Sequence, residues 1–105
     1  MRGYAATHPH VVPESLDELA GPTRGEVMLP TRLDWGPVRS YRLDDPSDAR
    51  LLYERVIREA LRVDDLRTFL NRELLIGLWP TLFLPRPVRA LWEQRFTLPR
   101  GTLAA

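Results

Sequence analysis

The most regular pattern of apolar and polar positions lies between residues 45 and 62. Apolar side chains recur three and four residues apart with charged side chains between them, and this period predicts an amphipathic helix with one apolar face. Asp45 suits the N-cap of this helix, and Pro46 suits its first position. The predicted apolar face has six members: Leu52, Tyr53, Val56, Ile57, Ala60 and Leu61.

An alternation of period two precedes this helix. Four residues fall on one face of an extended chain: Val27, Leu29, Thr31 and Leu33. Residues 34–37 read Asp-Trp-Gly-Pro and predict a reversal, and residues 38–43 predict a second short strand. Pro30 has no amide hydrogen to donate to a ladder, so the first strand belongs at an edge or a bulge. The pattern predicts a β-hairpin.

Leucines at steps of four predict further helices after residue 63. They are Leu66, Leu70, Leu74 and Leu78. One continuous helix fits this spacing, and so do two helices with a kink at which Asn71 caps the second. The kinked arrangement is preferred because the apolar residue before Asn71 is typical of a hydrophobic staple. Asp64 or Asp65 is the predicted N-cap of the first helix, and Pro80 ends the helical run because the residue before proline avoids the α region.

The remaining segments complete a small single domain. Residues 86–96 predict a last helix with a proline in its first turn. Ser15 and Glu18 have the spacing of a capping box and predict a short helical turn. Residues 1–13 are predicted to be a disordered tail and residues 99–105 a C-terminal tail, which leaves residues 14–98 as the domain. The predicted fold class is α+β, a β-hairpin packed with three to four helices.

Composition is that of a globular protein without cysteine. The 105 residues are 44% hydrophobic and 28% charged, which is typical of a folded domain. The longest apolar run is too short to span a bilayer, and the first residues lack the apolar stretch of a secretory signal. The expected location is therefore cytoplasmic. All 15 basic residues are arginine, as G+C-rich codon usage would produce, and a formal net charge of +1 does not indicate general binding of polyanions.

Residues that enzymes commonly use are missing or have a structural explanation. The chain contains no cysteine, P-loop, dinucleotide fingerprint or nucleophile elbow. His8 and His10 lie in the predicted tail and have no third histidine or cysteine to complete a metal site. Four acids could together bind a divalent ion: Asp34, Asp44, Asp45 and Asp48. The last three coincide with a helix start, where acids are expected anyway. We therefore expect no enzyme activity, metal or cofactor.

Arginines on the later helices keep a second function class open. They are Arg67, Arg72, Arg86, Arg89 and Arg95. Two helices with arginines on the second have the outline of a helix-turn-helix, although the link between them is longer than the usual turn and Glu73 and Glu93 dilute the charge. A DNA-binding transcriptional regulator of a small operon is therefore the alternative function, while nucleic acid remains the less expected partner.

Residues 74–92 combine many apolar and aromatic side chains with arginine, as the energetic centres of protein interfaces do. In the short link after Pro80, two large apolar side chains alternate, so at least one of them is expected to point outward. A core and an interface explain this segment equally well. Six residues are the candidate partner contacts: Trp79, Leu82, Phe83, Arg86, Arg89 and Trp92. A hetero-complex is the preferred outcome, and a homodimer through the same surface stays open.

Several short motifs within residues 15–96 carry a family resemblance. They are Leu33-Asp34-Trp35, Tyr41-Arg42-Leu43-Asp44-Asp45-Pro46, Leu78-Trp79-Pro80, Leu84-Pro85, Val88-Arg89 and Trp92-Glu93. With them the chain resembles a group of small actinobacterial proteins encoded beside a nucleotidyltransferase-like toxin of the abortive-infection type. The resemblance implies an antitoxin-like protein that binds and occludes this toxin.

Two departures limit what the resemblance implies. The chain lacks the Gly-Ser pair and the spaced acids of a nucleotidyltransferase, so the implied role is that of the neutraliser and not of the toxin. It also lacks the separate winged-helix domain of larger antitoxins, so the resemblance does not extend to autoregulation through DNA.

Overall fold

The computed structural model describes residues 10–37 and 39–99. Two short strands, β1 and β2, form an antiparallel hairpin, and four helices, α1 to α4, follow it. The predicted small α+β fold is confirmed. The strands are β1 (Glu26–Met28) and β2 (Ser40–Arg42), and the helices are α1 (Pro46–Glu59), α2 (Val63–Phe69), α3 (Arg72–Leu78) and α4 (Arg86–Arg95). Two 3₁₀ turns, Leu16–Glu18 and Trp79–Thr81, complete the order.

The hairpin is shorter than the alternation predicts. Val27 pairs with Tyr41 at the centre of the ladder, and Tyr41 is buried while Met28 faces outward. After Met28 the chain turns, because the amides of Leu33 and Asp34 both donate to the carbonyl of Pro30. The reversal therefore begins at the proline and not at residue 34, which limits the first strand to three residues.

Helix α1 forms where its caps predict. The side chain of Asp45 accepts a hydrogen bond from the amide of Ser47 at 3.0 Å, and Pro46 occupies the first position. Five of the six predicted apolar-face residues are buried. Leu61 is the exception, since the helix ends at Glu59 and the chain bends away, which leaves Leu61 57% exposed.

The kinked alternative for the leucine run is correct. The side chain of Asn71 caps α3 by accepting from the amide of Leu74 at 3.2 Å, while Leu70 is extended and fully buried. The amide of Asn71 donates to the hydroxyl of Tyr53 at 2.9 Å, which fixes the kink against α1. The N-cap prediction for α2 is wrong, because Arg62 stands there and the two aspartates lie in the first turn.

The first 3₁₀ turn docks beside this kink. Ser15 and Glu18 form the predicted capping box. The amide of Gly21 donates to the carbonyl of Leu70 at 2.8 Å, and the amide of Arg72 donates to the carbonyl of Leu19 at 3.1 Å. These two bonds satisfy backbone groups at the junction between α2 and α3 that would otherwise have no hydrogen-bond partner.

One hydrophobic core joins all of these elements. Trp79 and Trp92 are fully buried at its centre, with ring centroids 5.9 Å apart. Val11 and Val12 pack against the core, so the packed chain starts before the predicted boundary at residue 14. The rest of the two predicted tails, residues 1–9 and 100–105, lies outside the described residues, as does His8. In the described part of the chain, no helix has the length and apolar content needed to cross a membrane.

Candidate partner-binding surface

The structure divides the six predicted contact residues into two groups. Trp79, Leu82 and Trp92 are buried, so they are core residues and their side chains do not reach the surface. The remaining three lie toward solvent, and Phe83 is the most exposed of them, at 81%. A contact role for the buried three would require the core to open. The contact prediction therefore continues only for Phe83, Arg86 and Arg89.

Phe83 lies in the middle of a short extended segment, residues 82–84, which we call the 82–84 link. Leu82 and Leu84 are buried on either side of it. Successive side chains of an extended chain point in opposite directions, so two buried leucines force the side chain between them outward. Turning Phe83 inward would expose both leucines, and the local backbone therefore fixes the direction of its ring.

Two charged side chains also hold the backbone of the link. The carboxylate of Glu54, on α1, accepts a hydrogen bond from the amide of Phe83 at 2.7 Å. The guanidinium of Arg89, on α4, donates to the carbonyl of Leu82 at 2.5 Å and to the carbonyl of Trp79 at 3.1 Å. Hydrogen bonds with a charged partner are the stronger ones in proteins. The peptide group between Leu82 and Phe83 is therefore held at both its amide and its carbonyl.

Arg89 belongs to a network inside the protein. Its guanidinium lies 4.8 Å from the centroid of the Trp79 ring and donates to the carboxylate of Glu93 at 3.0 Å. The same carboxylate accepts from the indole nitrogen of Trp79 at 2.9 Å, which satisfies that buried donor. Arg89 is therefore already engaged inside the protein, where it holds the 82–84 link, and its pairing with a partner's carboxylate stays a prediction. Sequence reasoning treated Glu93 only as diluting charge and gave Glu54 no role in the link.

A second aromatic side chain is held outward on the hairpin side. Trp35 is 75% exposed and lies in residues 31–37, the 31–37 loop. The carboxylate of Asp34 accepts from the hydroxyl of Tyr41 at 2.5 Å and lies 3.7 Å from the guanidinium of Arg55 on α1. Burial and this carboxylate both raise the pKa of Tyr41, so its hydroxyl stays a donor to Asp34.

An ion pair anchors the start of the same loop. The guanidinium of Arg32 lies 2.6 Å from the carboxylate of Asp65, which is buried in the first turn of α2. The hydrogen bond from Arg32 holds the pKa of Asp65 below its ordinary value, even though burial alone would raise it. Sequence reasoning placed Trp35 in the reversal but did not name it as a contact. The sequence feature that could have identified Trp35 as a contact is the position of an aromatic residue within a turn.

Three of the four acids that could have formed a metal site, Asp34, Asp45 and Asp48, have separate partners. Asp45 caps α1, and Asp48 accepts from the amide of Arg42 and pairs with Arg39, both at 3.0 Å. Asp34 accepts a hydrogen bond from the hydroxyl of Tyr41 in β2. Within residues 10–37 and 39–99, no group of three or more His, Asp or Glu side chains could hold a metal ion.

The arginines behind the DNA-binding alternative are largely neutralised. Arg67 pairs with Glu18 at 2.9 Å and with Asp64 at 3.0 Å, and Arg72 pairs with Asp17 at 3.3 Å. Arg89 is occupied by its own network. Of the five arginines in that alternative, only two are without an ion pair among the described residues: Arg86 and Arg95. A continuous cationic face therefore does not form there.

Comparisons of the chain with family models, with curated proteins and with solved structures find no match. The chemistry of the surface itself is therefore the guide to function. An exposed aromatic ring on a fixed backbone with arginine nearby is typical of the energetic centre of a protein–protein interface.

Proposed function

We propose that this protein binds a partner protein through the surface around Phe83 and neutralises it by covering its active site. One observation carries the proposal: Phe83 is 81% exposed while Glu54 and Arg89 hold the peptide group that precedes it, one at the amide and the other at the carbonyl. A large apolar side chain on a backbone that keeps it in water gains free energy when another protein surface covers it.

The expected energy of this contact is substantial. Burying a phenylalanine side chain contributes about 1.5–3 kcal/mol. Binding normally loses part of such a gain because loops and side chains become ordered. Here the 82–84 link is already fixed, so most of the ring's contribution remains available to the complex. Arg86, exposed at the first position of α4, adds a positive charge that suits an acidic partner surface.

The proposed partner is a nucleotidyltransferase-like toxin, as the sequence resemblance implies. In this proposal the protein is an antitoxin that acts in the cytoplasm as one half of a hetero-complex and performs no catalysis. The catalytic groups of a nucleotidyltransferase are acidic, and a surface that presents Phe83 and Arg86 offers both apolar and positive contacts to their surroundings. Covering them would exclude substrate.

An inhibition assay tests the proposal. A purified nucleotidyltransferase-like protein encoded beside this chain is assayed for nucleotidyl transfer as the chain is added. We expect inhibition to be complete near one chain per toxin and to be weakened about tenfold or more by Phe83→Ala. Met28→Ala is the matched control, because Met28 is 58% exposed on the outer face of the hairpin. Equal inhibition by both variants would contradict the proposal.

The other function classes give different results in solution. A DNA-binding regulator would bind a duplex from its own operon with an affinity that falls steeply as salt rises. A homodimer would sediment at twice the chain mass and would lose that mass on Phe83→Ala. Either result, together with no inhibition of the toxin, would replace the antitoxin proposal.

A further inference from the structure

We infer that the partner-binding surface has two anchors, Phe83 and Trp35, and that an acidic segment of the partner protein lies over α1 between them. This inference rests on the proposed function and specifies its partner. Three observations support it: the positions at which α1 contacts the two aromatic segments, the fixed backbone of both segments, and the charge between them.

Helix α1 contacts both aromatic segments at neighbouring positions. Glu54 bonds the amide of Phe83, and the next residue, Arg55, lies 3.7 Å from Asp34, which precedes Trp35. Successive helical residues differ by about 100° around the axis. The 82–84 link and the 31–37 loop therefore flank α1 on two sides of one outward-facing stripe.

The outer stripe of α1 consists of Leu51 and Arg58. These residues are seven positions apart, so they point in nearly the same direction. Glu54 lies on one side of that direction and Arg55 on the other. Leu51 is a large apolar side chain that is 39% exposed, so the stripe offers apolar surface between the two anchors.

Both anchors are fixed by contacts with the rest of the domain. Phe83 is held by the network described above. The 31–37 loop is tied to β2 through Asp34 and Tyr41 and to α2 through Arg32 and Asp65. A partner would therefore meet two aromatic side chains on backbone segments that are already in place, which limits the entropy lost on binding.

The charge of the surface indicates an acidic occupant. Arg58 and Arg86 have no ion pair among the described residues, and Arg50 lies 3.8 Å from Glu54, whose carboxylate is already bonded to the Phe83 amide. Glu59 is the acid of α1 without an ion pair among the described residues, and it lies about 100° from Arg58 around the helix axis. The stripe itself and the 82–84 side of it therefore keep an excess of arginine. Acidic residues in the occupant would complement it.

The occupant is a protein segment with apolar residues among its acids. Leu51 lies in the stripe and two aromatic rings flank it, so the surface needs apolar partners as well as carboxylates. The two anchoring segments contact α1 at successive positions about 100° apart around its axis, so both border the same stripe. An acidic segment that crosses the stripe and carries two apolar residues would contact both anchors.

A peptide selection tests this inference. The full-length chain is used to select from a random library of peptides, and the selected peptides are titrated against the chain and its variants. We expect acidic peptides with two apolar residues to be enriched. Their dissociation constants should rise about tenfold or more on Trp35→Ala and on Phe83→Ala, and severalfold on Arg58→Glu. Met28→Ala should leave them unchanged, and both aromatic variants should keep the wild-type circular dichroism because both side chains are exposed.

Each other outcome overturns the inference. Enrichment of basic or neutral peptides would contradict an acidic occupant. No enrichment over the starting library would contradict a peptide-binding surface. Unchanged peptide affinity of the Trp35→Ala variant would contradict the role of Trp35 as the second anchor. Tighter binding of a fluorescent single-stranded 20-mer of DNA than of any peptide would assign the surface to nucleic acid. If toxin inhibition still depends on Phe83 but not on Trp35, the proposed function stands and only this inference fails.

Discussion

Replacing Arg89 with methionine removes the guanidinium that holds the 82–84 link while keeping an unbranched apolar stem. The wild-type guanidinium donates to the carbonyls of Leu82 and Trp79 and to the carboxylate of Glu93. Its side chain is 25% exposed, so water partly replaces these bonds in the variant. A hydrogen bond to a charged group contributes about 1.5–3 kcal/mol, and these contributions overlap. We expect Arg89→Met to lower the free energy of unfolding by about 2–4 kcal/mol.

Urea unfolding followed by far-UV circular dichroism measures this loss. Arg86→Met is the matched control, since Arg86 stands on the same helix, is exposed and has no ion pair among the described residues. We expect the control to change the free energy of unfolding by less than about 0.5 kcal/mol. A loss below about 0.5 kcal/mol for Arg89→Met, or an equal loss for both variants, would refute the role of Arg89 as the residue that holds the link.

Two further variants test the junctions around α2. In Gly21→Ala the new Cβ would lie 2.8 Å from the carbonyl carbon of Phe69, so we expect a loss of about 1–3 kcal/mol in urea unfolding, and wild-type stability would contradict the close docking of the first 3₁₀ turn. Asp65 has its pKa lowered in the folded protein by the hydrogen bond from Arg32. Its contribution is therefore fully present above the ordinary aspartate pKa and is lost as the pH falls through the lower folded value. Asp65→Asn should accordingly destabilise the protein more at pH 7 than at pH 2, and an equal loss at both pH values would contradict this linkage.

Much of the fold follows from local signals in the sequence. Asp45 and Pro46 define the start of α1, and Asn71 defines the break before α3, because capping uses side chains within a few residues of the backbone they satisfy. Pro30 was recognised as a limit on strand pairing, but the pattern of alternation continued past it. The strand ends instead at a turn in which the Pro30 carbonyl accepts hydrogen bonds from the amides of Leu33 and Asp34.

The candidate surface could be predicted only in part. Composition alone does not distinguish a buried tryptophan from an exposed phenylalanine, so Trp79 and Phe83 were given the same role. The contact that separates them joins Glu54 to the amide of Phe83 across 29 residues of sequence, and no local pattern reports such a bond. Trp35 was missed for the same reason, because its exposure follows from the contacts of Asp34 and Arg32 with distant helices.

Calorimetric titration of the chain with the nucleotidyltransferase-like toxin tests the central proposal most directly. We expect a complex of one chain per toxin whose dissociation constant rises between about tenfold and 100-fold on Phe83→Ala, the range that follows from burying one phenylalanine ring. Met28→Ala should bind as the wild type does, because its side chain lies on the outer face of the hairpin. Absence of a complex with the toxin, or equal affinity of the Phe83→Ala variant and the wild-type chain, would contradict the proposal.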